Sequence, residues 1–288
     1  MENLEEKKII YEKYYKIFTF LSISLFILSL IYLAIYYSIN GEFFKKDITL
    51  TGGTVITLHG NYEENEIKQT IKKYTNDFLI KYTQDLYTNK IIATIIETKL
   101  NEDDAKKIIE ELKIENYNIE TTTASLGKNF FNQLMMALFI AIIFMIICVF
   151  LIFRTFVPSI AVILAALTDI CASIAIINIM NISIGTAGIV ALLMLIGYSV
   201  DSDILLTTRV LKRKDTPLKG RLISSLKTGL TTTLTSLIVV FIGFIFSTSN
   251  ILKQIFLVLS IGLTIDLFST WIGNISILTW YIKKKYKE

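Results

Sequence analysis

Five long stretches of this chain carry one charge or none: residues 17–41, 129–153, 155–200, 228–252 and 254–282. At 1.5 Å per residue a helix of about 20 residues crosses roughly 30 Å of hydrocarbon. Stretches of this length therefore belong in lipid or in a very large core. The remaining composition agrees, with 53% of 288 residues apolar, two prolines and a mean hydropathy of +0.56. Such values exclude a disordered chain and a disulfide scaffold. Cys148, Cys171 and the single His59 sit far apart in different kinds of segment, so a Cys/His metal centre, a nucleophilic triad and a redox CxxC pair all lack support. No cofactor and no metal are expected, and the chain does not read as an enzyme.

Hydropathy and breakers divide the chain into six spans. The first covers 17–39, after a cytoplasmic N-terminus of 1–16. A cleavable signal peptide would have a shorter apolar core, and Tyr32, Tyr36 and Tyr37 resemble an interfacial belt rather than a cleavage site. The second span is 129–153. The stretch 155–200 holds two helices, 157–180 and 184–208, broken around Asn178, Met180, Asn181 and Gly185. Spans five and six are 228–250 and 254–282, and a basic loop, 209–227, precedes them. Basic residues in short loops resist translocation. Placing both termini in the cytoplasm gathers Lys7, Lys8, Lys13, Lys16, Arg154, Arg209, Arg213, Lys214, Arg221, Lys227 and the 283–288 tail on that side, leaving only Lys253 in a short outer loop. The polar segment 40–128, with 12 lysines against 15 acids, then lies outside the cell.

Within that segment the periodicity predicts strands at 54–59, 78–86, 90–97 and 117–123, with a turn at Thr88, Asn89 and Lys90. Helices are predicted over 63–75, with Ile67 and Ile71 on one face, and after Asn101, where Glu102, Asp103 and Asp104 follow a good N-cap. The order βαββαβ is that of an α+β ferredoxin-like unit. This fold hosts unrelated activities and assigns none.

The functional signal is charge inside the spans. An ionised carboxylate at mid-bilayer costs roughly 2.5–3.5 kcal/mol on insertion scales. Asp169 lies midway along span three, too deep for so short a side chain to snorkel out, in a stripe of small residues with Ala161, Ala165, Thr168, Ala172 and Ser173. It is either protonated or faces a polar partner, and a proton relay needs both states. Asp266 lies in a similar stripe with Gly262, Ser269, Thr270 and Gly273, while span five offers Thr228, Thr232, Thr235 and Ser236 as hydroxyls. Asp201, Asp203 and Arg209 come late in span four, where solvation near the surface is the plainer alternative for Asp203 and Arg209. The expected relay is Asp169, Asp201 and Arg209, with Asp203, Asp266, Thr232 and Ser236 as secondary polar positions.

The run Gly197-Tyr198-Ser199-Val200-Asp201-Ser202-Asp203-Ile204-Leu205-Leu206-Thr207-Thr208-Arg209 resembles the fourth-span signature of the SecF family of protein-export membrane proteins in its archaeal form. Thr168-Asp169, Phe153-Arg154 and the stretch 262–271 with Asp266 resemble further family positions, and the layout of one span, an external domain and five spans is similar throughout. The family carries an acid and an aromatic directly before Thr-Gly-Gly; this chain has Thr49-Leu50 there, with Asp47 two places earlier. The Gly52-Gly53 pair suits a tight lead-in to the first strand. The resemblance implies an accessory subunit of the Sec machinery in the cell membrane, working with SecD beside the translocation channel on an unfolded polypeptide. It implies drive by protons, in contact with membrane lipids and with no nucleic acid, on the plan of resistance-nodulation-division pumps. It also implies that Asp201, where many SecF-like chains have Asn, matters less than Asp169. The alternative is half of a proton-coupled small-molecule transporter, with a pocket at membrane depth. A membrane enzyme would need a paired Asp motif, a Ser/His dyad or a metal cluster in the spans, and His59 lies outside them.

Overall fold

The computed structural model describes residues 10–60, 62–84, 91–212 and 217–286. The turn expected at Thr88, Asn89 and Lys90 lies outside the described residues, as do Lys7, Lys8, Arg213, Lys214 and Lys287 and the side chain of Lys13. Two compact units emerge, one of long helices and one comprising Lys46–Met135 with Ile184–Thr186.

The first helix, α1 (Ile10–Asn40), belongs to the helical unit. The mixed unit begins with a single helical turn, α2 (Ile48–Thr51), whose first N–H donates to the Asp47 carboxylate at 2.5 Å. Gly52 ends that turn at φ +84 and Gly53 follows at φ +147. A Cβ at Gly52 would fall 2.5 Å from Ala124 Cα, and one at Gly53 would fall 2.5 Å from Thr98 O, so only glycine fits this lead-in. The unit continues through β1 (Gly53–His59), α3 (Glu64–Lys72), β2 (Phe78–Gln84), β3 (Ile91–Thr98), α4 (Glu102–Glu111) and β4 (Tyr117–Thr122). All neighbours in the sheet order β2-β3-β1-β4 are antiparallel, which is the ferredoxin-like arrangement. Alternation along the strands sets one row of Ile80, Ile96, Ile56 and Ile119 across the sheet. Ile67 and Ile71 of α3 and Ala105, Ile108 and Ile109 of α4 close over that face. Asn101 caps α4 as its side chain accepts the Asp104 N–H at 2.9 Å.

The next helix, α5 (Ala124–Phe153), starts within the mixed unit and belongs to the helical unit from Met136. It turns through Arg154 at φ +50 into α6 (Phe156–Ile179). Then follow α7 (Thr186–Lys212), α8 (Leu218–Phe246) and α9 (Asn250–Phe268). Residues Ser269–Asn274 form a π-helical segment and α10 (Ile275–Tyr286) completes the last span. Among the described residues six helices are long and apolar enough to cross a membrane, so this is a multi-pass membrane protein. α6 is the most enclosed, with 72% of its apolar window buried against 17% for α1. The connection after α6 is held by polar groups: Asn178 Nδ2 donates to Phe43 O at 2.8 Å, Lys45 to Asn181 Oδ1 at 3.2 Å, and Gln254 Nε2 to Ser183 O at 2.9 Å. Further along, Leu206, Val210, Leu218, Leu222, Trp271, Ile275, Leu278 and Ile282 form a second core. The Trp271 ring lies so close to Gly229 that a Cβ there would sit 1.9 Å from it.

Candidate functional site

Small residues on α6 let α7 and the last span approach Asp169. Its carboxyl is fully buried and accepts two hydroxyls, Ser199 Oγ of α7 on Oδ2 and Ser269 Oγ of the π segment on Oδ1. Asp203, four residues beyond Ser199 on the same face of α7, is equally buried, and so is Asp266 on α9. Thr270 Oγ1 lies 2.9 Å from Asp203 Oδ1 and 2.9 Å from Asp266 Oδ1. Asn274 Nδ2 donates to Asp203 Oδ1 at 2.7 Å, and Ser202 Oγ lies 3.2 Å from Asp266 Oδ2, its one hydrogen shared with Tyr198 O at 3.0 Å and Ser199 O at 3.1 Å.

Three carboxyls from three helices thus share one buried polar cluster whose donors are hydroxyls and one amide. The π segment explains how one helix supplies so many of them. Its hydrogen bond from Ile275 N–H to Thr270 O runs i→i−5 and widens the turn, and Ser269, Thr270 and Asn274 all reach acids on α6 and α7.

The other expected positions fall elsewhere. Asp203 is not near solvent but at the centre of the cluster. Asp201 is on the exposed side of α7, as are Gly197 and Tyr198, and Val200 is half-buried. A Cβ on Gly197 would meet nothing within 4 Å. Arg209 is half-buried and donates to Thr228 Oγ1 at 2.7 Å and to Ser224 O at 3.4 Å. Thr232 is exposed, its hydroxyl turned back to Thr228 O at 3.0 Å, and Ser236 is half-buried. Gly52 and Gly53 serve the backbone of the mixed unit. Asn274 and Ser202 were not singled out from sequence as partners of the acids. The one available signal for Asn274 was a lone amide in an apolar span. A separate cleft of about 600 Å³ between α6, α8 and α9 is lined by Ile176, Leu237, Phe241, Leu257, Ile261 and Thr264 among others, and none of the three acids lines it.

Residues 102–284 match the sequence profile of the protein export membrane protein SecD/SecF, C-terminal. The protein-export membrane protein SecF of Pyrococcus furiosus is 40% identical over 254 residues, covering 86% of this chain and 85% of that protein. Its counterpart in Methanocaldococcus jannaschii is 36% identical over 282 residues, 94% of this chain and 96% of that one. The crystal structure of SecDF, a translocon-associated membrane protein from Thermus thermophilus, superposes with a TM-score of 0.76 at 18% identity. That likeness covers 98% of this chain and 40% of the SecDF chain, so the chain spans about two fifths of its length.

Proposed function

This chain belongs to the SecD/SecF family of protein-export membrane proteins, and from that premise we propose that it is the SecF-type accessory subunit of the Sec translocation machinery, coupling proton passage to late steps of export. The observation that carries the coupling is the buried cluster of Asp169, Asp203 and Asp266. Moving one proton down a 100 mV potential releases about 2.3 kcal/mol, comparable to the cost of charging a carboxylate at membrane depth. A protonation cycle can therefore tip the bundle between two packings. In this reading Asp169 is the central acid, while Asp201 and Arg209 lie towards its cytoplasmic approach.

The same geometry supports a SecD-type partner. Six spans and one αβ unit make one half of a pseudo-twofold transporter. Asp201, Gly197 and Tyr198 are exposed on an apolar span, and lipid is a poor neighbour for a carboxylate. That face of α7 suits a second bundle, with α8 and the last span beside it. The excess of basic residues supports a reading in which both termini and the basic 209–227 segment face the cytoplasm and the mixed unit lies outside, where it would meet the emerging polypeptide. That basic segment, expected as a loop, is largely helical, with 209–212 in α7 and 218–227 in α8. A proton-coupled small-molecule transporter would want its acids at its pocket, and the apolar cleft holds none of them.

The test uses vesicles carrying the chain, its SecD-type partner and the channel. Asp169→Asn keeps shape and polarity but cannot titrate, so insertion and partner binding persist while proton-driven stimulation of secretion is lost. Full stimulation with the Asn variant refutes the relay, and loss only together with the complex makes Asp169 structural.

A further inference from the structure

Thr270 stands between two carboxyls, and its hydrogen-bond count is one proton short. The hydroxyl is 2.9 Å from Asp203 Oδ1 and 2.9 Å from Asp266 Oδ1. It carries a single hydrogen and two lone pairs, so it donates to one of these oxygens only. The other contact would set two acceptors against each other unless that carboxyl supplies a proton. All three side chains have no exposed surface. The surroundings say which acid holds the proton. Asp203 Oδ2 is buried without a partner, a loss far smaller for a neutral oxygen than for an ionised one, whereas Asp266 Oδ2 has the Ser202 hydroxyl 3.2 Å away. Asn274 Nδ2 fixes Asp203 Oδ1 in place at 2.7 Å.

Resting on the proton-coupled reading above, we infer that Thr270 passes a proton between Asp203 and Asp266. In the step, the O–H bond at Asp203 Oδ1 breaks as its proton joins Thr270 Oγ1. The original Thr270 O–H breaks as that proton joins Asp266 Oδ1. Asp203 ends as the anion, Asp266 as the acid, and the threonine is neutral with its two hydrogen bonds reversed. The π segment carries the hydroxyl at 2.9 Å from each of the two oxygens, and Asp266 in turn interacts with Asp169.

Proton flux is measured in vesicles containing the full chain and its SecD-type partner, for wild type, Thr270→Val, Thr270→Ser and Asp169→Asn. Valine keeps the shape and removes the hydroxyl; serine keeps the hydroxyl. Thr270→Val should lower flux about tenfold or more while Thr270→Ser stays within about threefold of wild type, with both still co-purifying with the partner. Wild-type flux in Thr270→Val beside an inactive Asp169→Asn overturns the role of Thr270 and leaves proton coupling standing. No flux in wild type overturns both. If valine prevents assembly, infrared absorption at neutral pH decides. The protonated-carboxyl band of wild type should fall in Asp203→Asn, and an unchanged band overturns the shared proton.

Discussion

Glu97 shows how much one side chain's setting escapes its local sequence. It sits on the sheet face away from α3 and α4, flanked in register by Val55 and Leu79, and pairs with Lys81. Burial pushes its carboxyl above the usual range, the nearby Asp47 charge pushes the same way, and Lys81 opposes both. A raised folded-state value means stability that is full below the unfolded value, near 4.5, and is lost as pH rises through the folded value. Amide protection in β1 and β3 of the full chain should therefore increase as pH is lowered from neutral towards that range, and Glu97→Gln should flatten the trend. Equal slopes in the two proteins would rule this out. Asp47 stood out in the sequence only as an acid two places early. Its two roles, capping α2 and facing Glu97, involve a four-residue helix and a partner 50 residues away, which no local pattern reveals. The intramembrane acids were legible one by one, because each interrupts an apolar run. That Asp203 and Asp266 meet through Thr270 was not, since it depends on how two helices cross.

At the scale of elements, spans and strands followed from hydropathy and period, and the βαββαβ order with its sheet was readable because apolar residues alternate along strands and recur every three or four along α3 and α4. The π segment left no such trace, because a change of hydrogen-bond partner by one residue does not alter composition. Helix crossings were likewise marked only as small residues. Gly229 is the tightest of them. Gly229→Ala would drive a methyl into the Trp271 ring, so a loss of about 1–3 kcal/mol is expected, read as a lower thermal midpoint in detergent. Gly243 faces the Phe256 ring with more room, and Gly243→Ala should cost less. The reverse order would mean that Trp271 is free to move.

Across the whole molecule, reporters fused after Asp85 and after Lys214 should read external and cytoplasmic respectively, and the opposite pair would overturn the proposed orientation. The exposed strip on α7 supplies a second check. A Cβ at the exposed Gly197 meets nothing within 4 Å, so Gly197→Leu should leave the chain's own thermal midpoint unchanged yet weaken co-purification of the SecD-type partner. Retained co-purification would move the interface elsewhere. The last span ties the helical unit together, since it packs on both α1 and α6, and its wide turn at Ser269–Asn274 has a consequence for how such a helix tolerates change. A wide turn accommodates one residue more than an ordinary α turn. Deleting one residue inside it would return the span to plain α-helix with Leu278 and Ile282 still directed at their core, at the expense of the spread of Ser269, Thr270 and Asn274 and of the seat of Trp271. The same deletion one turn away would swing everything beyond it by about 100°. Within six residues the span therefore combines the groups it presents to the acids with one packing anchor, Trp271, while the core contacts beyond the turn can survive a change of length confined to it.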